Sequence, residues 1–462
     1  MVVATPDGMK FLLLGILTIA LSGQLAAVEP FRIKVVEKGT GWPVPMVELR
    51  TTHHARFISD NAGVIAFDLP EMMGEECWFS IEGHGYGVAA DGFGFRGVRL
   101  TPTSGGEAMV EVERSLPGKR LGRLTGAGLF GESQRFGLEP DWKESGIVGC
   151  DTVQIAPHRG KLFWAWGDTS VARYPLGLFQ TTSATTGLRP VSSFEPPLRV
   201  RYDYFRDPEG RVRNVAEMPG SGPTWISGYV SLPDEGGEPR LVATYVKIRG
   251  KLEAYEAGLC VWNESEERFD RQRVLWSKSE DQPGLPLVPD GHPAFWTDPS
   301  GKRWLMFGDP FPRIRMEPTF EAWSDPGQWT PMDPQKTVPS RSGGDEVVPH
   351  RGSIAWNGFR KKWVAVFTQH HGKPSPLGEI WYAESEQPTG PWGSAVKVVT
   401  HSNYTFYNPR LHPELTDPDS PVLLFEGTFT REFSGSKDAW PRYDYNQILY
   451  RLDLDDPKLV GE

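Results

Sequence analysis

A phrase that recurs along the chain limits its fold more than anything else in the sequence. The run Gly160-Lys161-Leu162-Phe163-Trp164-Ala165-Trp166-Gly167-Asp168 returns as Gly301-Lys302-Arg303-Trp304-Leu305-Met306-Phe307-Gly308-Asp309, and more loosely as Arg360–Gln369. Shorter copies are Pro239–Tyr245 and Ser420–Glu426. Each copy follows an apolar strand that starts near Asp151, Trp225, Asp290, His350 or Asn408, at spacings of 74, 65, 60 and 58 residues. A third strand comes after the phrase, as in Gly177–Thr181, Gly258–Trp262, Gly378–Tyr382 and Gln447–Leu452. A unit of this size cannot bury its own apolar face and must stack on its neighbours. Strand, hairpin, strand and strand, five times over, predicts an all-β chain: a five-bladed β-propeller with four strands per blade. No window of comparable length carries a helical period. The last copy runs out after its third strand, so the segment Leu121 to Phe136 is expected to supply the missing outer strand and close the ring, leaving no open edge.

Composition agrees and narrows the choice of ligand. The 51 Gly and 41 Pro among 462 residues, with 17 Trp, 13 Tyr and 24 Phe, suit a turn-rich, aromatic-rich β protein. A net charge of −10 disfavours a nucleic acid as partner. Cys77, Cys150 and Cys260 form no CxxC pair and no zinc spacing, and read mainly as small packing residues.

At the N-terminus, Met9-Lys10 leads into the apolar run Phe11 to Leu21 and then the small-residue stretch Ser22 to Ala27. That order predicts a signal peptide over residues 1–28, with Met9 as the start and export to the periplasm or the extracellular space. The run is too short to be a stop-transfer helix, so no transmembrane segment is expected once it is removed. Residues 29–116 alternate short β-branched runs with turns and predict a small β-sandwich. Its pieces Gly41-Trp42-Pro43-Val44-Pro45-Met46-Val47-Glu48-Leu49 and Ser59-Asp60-Asn61-Ala62-Gly63-Val64 resemble the transthyretin-like or carboxypeptidase-regulatory type of sandwich, which implies a spacer or docking module. His53, His54 and His84 read there as surface or turn residues and not as metal ligands. The polar stretch Ser115 to Arg120 marks the boundary, and the propeller is assigned residues 117–462.

In a blade, the start of the innermost strand, the end of the second and the start of the third all reach one rim of the pore, because neighbouring strands run antiparallel. Asp151, Asp290, His350, Arg351 and Asn408 therefore open inner strands on that rim, Asp168, Asp309 and Gln369 close second strands, and Glu379 opens a third. Carboxyls gathered there push their pKa values apart, so that one stays protonated while another is a base. Glu379 stands where two other blades place Leu178 and Leu259. Glu426 aligns with Gly167 and Gly308, one residue before the aspartates, and faces the other way on a period of two. For Asp168 and Asp309 the competing reading is a turn that binds its own backbone; for Asp151 it is a loop cap. His370 and His371 read as exposed loop residues. Trp225, Trp296 and Trp381 are core candidates, and one or two at the rim would stack on sugar rings.

Cys150-Asp151-Thr152 leading to Phe163–Thr169, with Ile380–Ser385 and Pro388–Trp392, resembles the five-bladed propeller glycosidases, the glycoside hydrolase family 43-like enzymes and related secreted arabinan-degrading propellers. The likeness covers roughly Leu121 to Asp456. It implies a carbohydrate substrate, Asp151 as general base and Asp290 or Asp309 as the aspartate that tunes and orients the acid; the family's acid motif has no clear counterpart, and Glu379 takes that place by geometry alone. The expected function is a secreted glycoside hydrolase with catalytic residues Asp151, Asp168, Asp290, Asp309 and Glu379. His350, Arg351, Asn408, Trp225, Gln369 and Glu426 are expected to bind substrate. Two alternatives stand beside it: a non-catalytic carbohydrate-binding propeller, and a polysaccharide lyase acting on a uronate through His350, Arg351, Tyr407 and Tyr445. No cofactor is required; converging oxygens in the pore could hold a structural calcium ion, although nothing in the spacing demands one.

Overall fold

The computed structural model describes residues 28–140, 146–191 and 193–460. The proposed signal peptide lies outside them apart from residue 28. The N-terminal part is two four-stranded sheets. One runs in the order Val64–Phe67, Phe31–Glu37, Glu107–Arg114, Tyr86–Gly87; the other runs Arg56–Ile58, Glu48–Thr51, Cys77–Glu82, Gly97–Leu100. Ile33, Val35, Leu49, Ile65, Phe67, Phe79, Val110 and Val112 fill the space between them. The alternating burial of Cys77–Glu82 shows why this stretch pairs as a strand with one dry face.

Beyond it come five four-stranded antiparallel sheets; in the first four the strands lie in chain order, and the fifth takes its last strand from earlier in the chain. The first blade runs Val153–His158, Lys161–Trp166, Thr182–Thr186, Asp203–Tyr204. The second runs Thr224–Pro233, Pro239–Arg249, Glu253–Asn263, Arg268–Ser277. The third is His292–Thr297, Arg303–Gly308, Pro312–Met316, Thr330–Pro331, and the fourth Pro349–Asn357, Lys362–Gln369, Ile380–Ser385, Val396–Val399. In the fifth, Thr405–Leu411, Val422–Thr430 and Asn446–Asp453 are completed by Lys119–Arg123, which pairs antiparallel with the third strand. The closing strand thus starts two residues before the segment expected from sequence, and Ser133–Phe136 is a 3-10 turn.

Five apolar clusters each sit between consecutive blades. Ala156 and Phe163 meet Tyr229 and Trp262; Val230 and Leu259 meet Leu305 and Phe307; Met306 meets Trp363 and Trp381; Val364 and Tyr382 meet Phe406 and Phe425; and Leu424 and Leu449 return to Trp164 and Trp166. The last of these closes the circle, so the sheets form a β-propeller. The second strand of each blade is buried on both faces along most of its length, which is why these strands read as apolar runs such as Leu162 to Trp166. Cys77, Cys150 and Cys260 are all buried thiols. Among the described residues no helix is long and apolar enough to cross a membrane.

The two parts are joined by buried polar contacts. Arg120, on the closing strand, donates to the backbone carbonyls of Pro45, Met46, Gly83 and His84 and lies 4.8 Å over the Tyr86 ring. Asn61 and the backbone of Arg123 exchange two hydrogen bonds, and Tyr443 Oη donates to the Ser59 carbonyl at 2.7 Å. His84 lies in a turn, as expected, but away from the surface: it is 4% exposed, its ring centroid 4.4 Å from that of Trp440, because the turn is pressed against the fifth blade.

Candidate active site

Blade one carries an extra three-stranded sheet, Ile147–Cys150, Thr169–Val171 and Tyr174–Leu178, that rises from its inner end. The chain therefore passes between the two sheets three times, and two of the crossings fall on aspartates: Asp151, between Cys150 and the inner strand, and Asp168, between Trp166 and Thr169. Pairing of Cys150 with Thr169 sets these two side by side. The Asp151 amide donates to the Asp168 carbonyl at 3.2 Å, and the Gly167 amide to the Asp151 carbonyl at 2.9 Å. A β-carbon on Gly167 would lie 2.2 Å from Asp151 Oδ1, so the glycine of the repeated phrase makes room for the neighbouring carboxylate.

The two carboxyls have unlike partners. Tyr407 Oη, from the fifth blade, donates to Asp151 Oδ2 at 2.6 Å. Burial raises the Asp151 pKa, while hydrogen bonds from Tyr407, Tyr445 and the Asp168 backbone pull it back down. Asp168 receives one bond, from Trp225 Nε1 on the second blade at 3.1 Å. Burial, together with the charge of Asp151, pushes it up to about 7, and the Trp225 bond lowers it only in part. Each tyrosine is in turn held protonated, first by burial and then by the Asp151 charge. Both aspartates remain partly accessible to solvent. Asn408 Nδ2 donates to Thr152 Oγ1 at 2.7 Å, tying the fifth blade to the bend after Asp151.

Across the rim, blades three and four hold the other predicted aspartates in ion pairs. Asp309 accepts from Arg351 Nη1 at 2.5 Å and from the Gly352 amide at 2.7 Å. Burial raises its pKa and Arg351 lowers it. Asp290 is paired with Arg313. His350 neighbours His370, with ring centroids 5.2 Å apart, and burial beside Arg351 lowers its pKa to about 4, so the imidazole is neutral at ordinary pH.

Three sequence-predicted residues stand apart from both groups. Gln369 Oε1 accepts from Trp381 Nε1 at 2.9 Å, which occupies it within its own blade. Glu426 is 1% exposed, faces the first blade, and lies 3.1 Å from His412 Nε2. Glu379 is fully buried, with Lys397 Nζ at 2.8 Å and Thr400 Oγ1 donating at 2.8 Å. Its side chain turns toward the outer strand and leaves no path for a substrate. The alignment that singled it out also shifts: the third strand of blade one is Thr182–Thr186, while Gly177 and Leu178 belong to the extra sheet. Sequence reasoning passed over Arg313, which pairs with Asp290 inside blade three, and the rim phenylalanines Phe179 and Phe433, whose rings meet Trp225 of the second blade and Tyr407 of the fifth. Among the described residues no group of three or more His, Cys, Asp or Glu is gathered closely enough to hold a metal ion.

No family description matches the sequence, and no curated protein does. Solved structures with a similar chain path include an exo-1,5-α-L-arabinanase from a bovine ruminal metagenomic library, at 14% identity and a TM-score of 0.37, covering 67% of this chain and 94% of that one. An N-acetylgalactosamine deacetylase from F. plautii gives 12% identity and a TM-score of 0.39, over 74% and 98% of the two chains. The arabinanase Arb43A of Bacillus subtilis gives 11% and 0.32, over 66% and 96%. At this level the similarities speak to neither activity nor substrate.

Proposed function

We propose that the chain is an exported glycoside hydrolase that cleaves a polysaccharide or oligosaccharide with Asp168 as general acid and Asp151 as general base. The observation that carries this reading is the unlike hydrogen bonding of the dyad: Asp168 has one donor, Trp225, and is pushed up to about 7 by burial and its neighbour's charge, while Asp151, also raised by burial, has two tyrosine hydroxyls and a backbone amide that pull it back down. Two adjacent carboxyls in unlike surroundings titrate apart, which is the division of labour between acid and base that glycosidic bond cleavage needs. Asp168 would protonate the leaving oxygen, and Asp151 would draw the proton from the attacking water. Atoms balance as one water consumed per bond broken. Tyr407 and Tyr445 hold Asp151 in place; Trp225 orients Asp168. On this reading residues 1–28 are the export signal, 29–116 a docking module fixed to the ring by Arg120, and 117–462 the catalytic propeller.

One observation favours a second reading. His350 is a neutral imidazole beside Arg351, as a base that removes the proton next to a uronate carboxylate would be. Mass spectrometry of products from a polysaccharide panel separates the two. Products one water heavier than the anhydro chain, lost in Asp151→Asn, support the hydrolase. Unsaturated products that persist in Asp151→Asn and vanish in His350→Ala would assign a lyase, and no product from any polysaccharide would leave a binding propeller.

A further inference from the structure

Two phenylalanines at the rim are left in solvent, and each touches the side chain that serves one carboxyl of the dyad. Phe179, on the stretch that leaves the extra sheet, is 40% exposed. Its ring meets Trp225 edge-on at 6.2 Å, and Trp225 donates to Asp168. Phe433, 67% exposed, meets Tyr407 edge-on at 6.1 Å, and Tyr407 donates to Asp151. The chain does not leave Phe433 there by default. Its φ of 59° is unfavourable for a bulky residue, and the turn that carries it is braced by Ser434 Oγ on the Arg431 carbonyl, the Glu432 amide on Thr430 Oγ1 and the Arg431 amide on Asp444 Oδ1. An exposed aromatic ring held in such a backbone conformation is a presented surface.

We propose that Phe179 and Phe433 are sugar-stacking platforms on opposite sides of the dyad, so that the bond to be cut lies between two bound sugars and the substrate is an oligosaccharide chain rather than a single terminal sugar. The C–H faces of sugar rings suit an aromatic surface, and the two rings are supplied from blades one and five, on the donor sides of different carboxyls. This rests on the carbohydrate reading above, and deepens it by naming how the chain is held.

The test is calorimetric titration of the full-length Asp168→Asn protein with hexasaccharides of xylan, arabinan, galactan and polygalacturonate. At least one hexasaccharide is expected to bind, and Phe179→Ala and Phe433→Ala are each expected to weaken it about tenfold. Phe433→Trp should retain binding. Phe93→Ala, which removes a ring that is 92% exposed on the N-terminal sandwich, should leave it unchanged. Failure of all four hexasaccharides to bind, or binding that stays within twofold in both alanine variants, overturns the proposal. The two readings fail separately. Binding that depends on both rings without cleavage by the unsubstituted protein sinks the hydrolase and leaves the platforms. Cleavage indifferent to both rings does the reverse.

Discussion

Gly167-Asp168 and Gly308-Asp309 are the same dipeptide at the same place in two blades, and the fold uses them for different ends. In blade one the glycine clears space for Asp151 Oδ1, and the aspartate beyond it has a single neutral donor. In blade three a β-carbon on the glycine would lie 2.1 Å from the Phe311 carbonyl oxygen, and the aspartate is pinned by a guanidinium and an amide. One carboxyl is left short of partners at an open rim, and burial beside a second carboxyl pushes it up to about 7. The other is satisfied and fastens blade three to blade four. A repeat supplies the position of a side chain; the neighbouring blade decides its chemistry.

The largest expected effect tests that division directly. Asp151→Asn and Asp168→Asn should each lower kcat by about a thousandfold, in the range for loss of a positioned acid or base, while Asp309→Asn keeps kcat within a few-fold. Initial rates on the substrate identified by product analysis decide it, and equal losses at all three sites would erase the contrast. The glycines offer a second cut. Gly167→Ala should reduce kcat by ten- to a hundredfold with a small change in Tm, since it displaces a reacting oxygen; Gly308→Ala meets backbone and should lower Tm more than it lowers kcat.

The dependence on pH is the third. The Asp168 carboxyl is raised to about 7 in the folded chain, above the usual unfolded value of about 3.9. The stabilisation this proton confers is complete below about pH 4 and is lost as pH rises through about 7. Activity should therefore fall on the alkaline side with a midpoint near 7. Thermal melts should show Asp168→Asn gaining stability on the unsubstituted protein between pH 5 and pH 8, whereas melts that move in parallel would remove the basis for the acid assignment. The smallest effect is Trp225→Phe. Losing its hydrogen bond should move the alkaline midpoint upward by less than one pH unit, readable in a pH–rate profile with kcat changed only a few-fold.

Much of this architecture is legible before any coordinates. The recurring phrase specifies the blade, because both faces of a second strand must be apolar when it is buried between sheets, and counting copies gives the ring. The rim positions of Asp151, Asp168, Asp290 and Asp309 follow from antiparallel geometry. What is not legible is partnership. Tyr407 and Asp151 are 256 residues apart, and nothing local to either marks the contact. Glu379 misleads for a similar reason: a charge at an apolar place in the repeat signals a partner, and the partner, Lys397, lies on the outer strand and not in the pore. The inserted sheet in blade one also breaks the spacing, which is why Leu178 looks like a third-strand residue and Phe179 goes unnoticed.

The strand that closes the ring has a consequence for how the molecule is made. Lys119–Arg123 leaves the ribosome before any other propeller strand, yet its neighbours arrive last; Arg120 and Tyr450, in contact in the finished fold, are 330 residues apart. Until then it has one home, the sandwich surface that Arg120 and Arg123 already grip. The N-terminal module can thus shelter an edge that would otherwise wait unpaired through the synthesis of five blades, the kind of edge that invites aggregation in slow-folding β proteins. Removal of the sandwich should therefore be felt first in the yield of folded protein and only afterwards in rate.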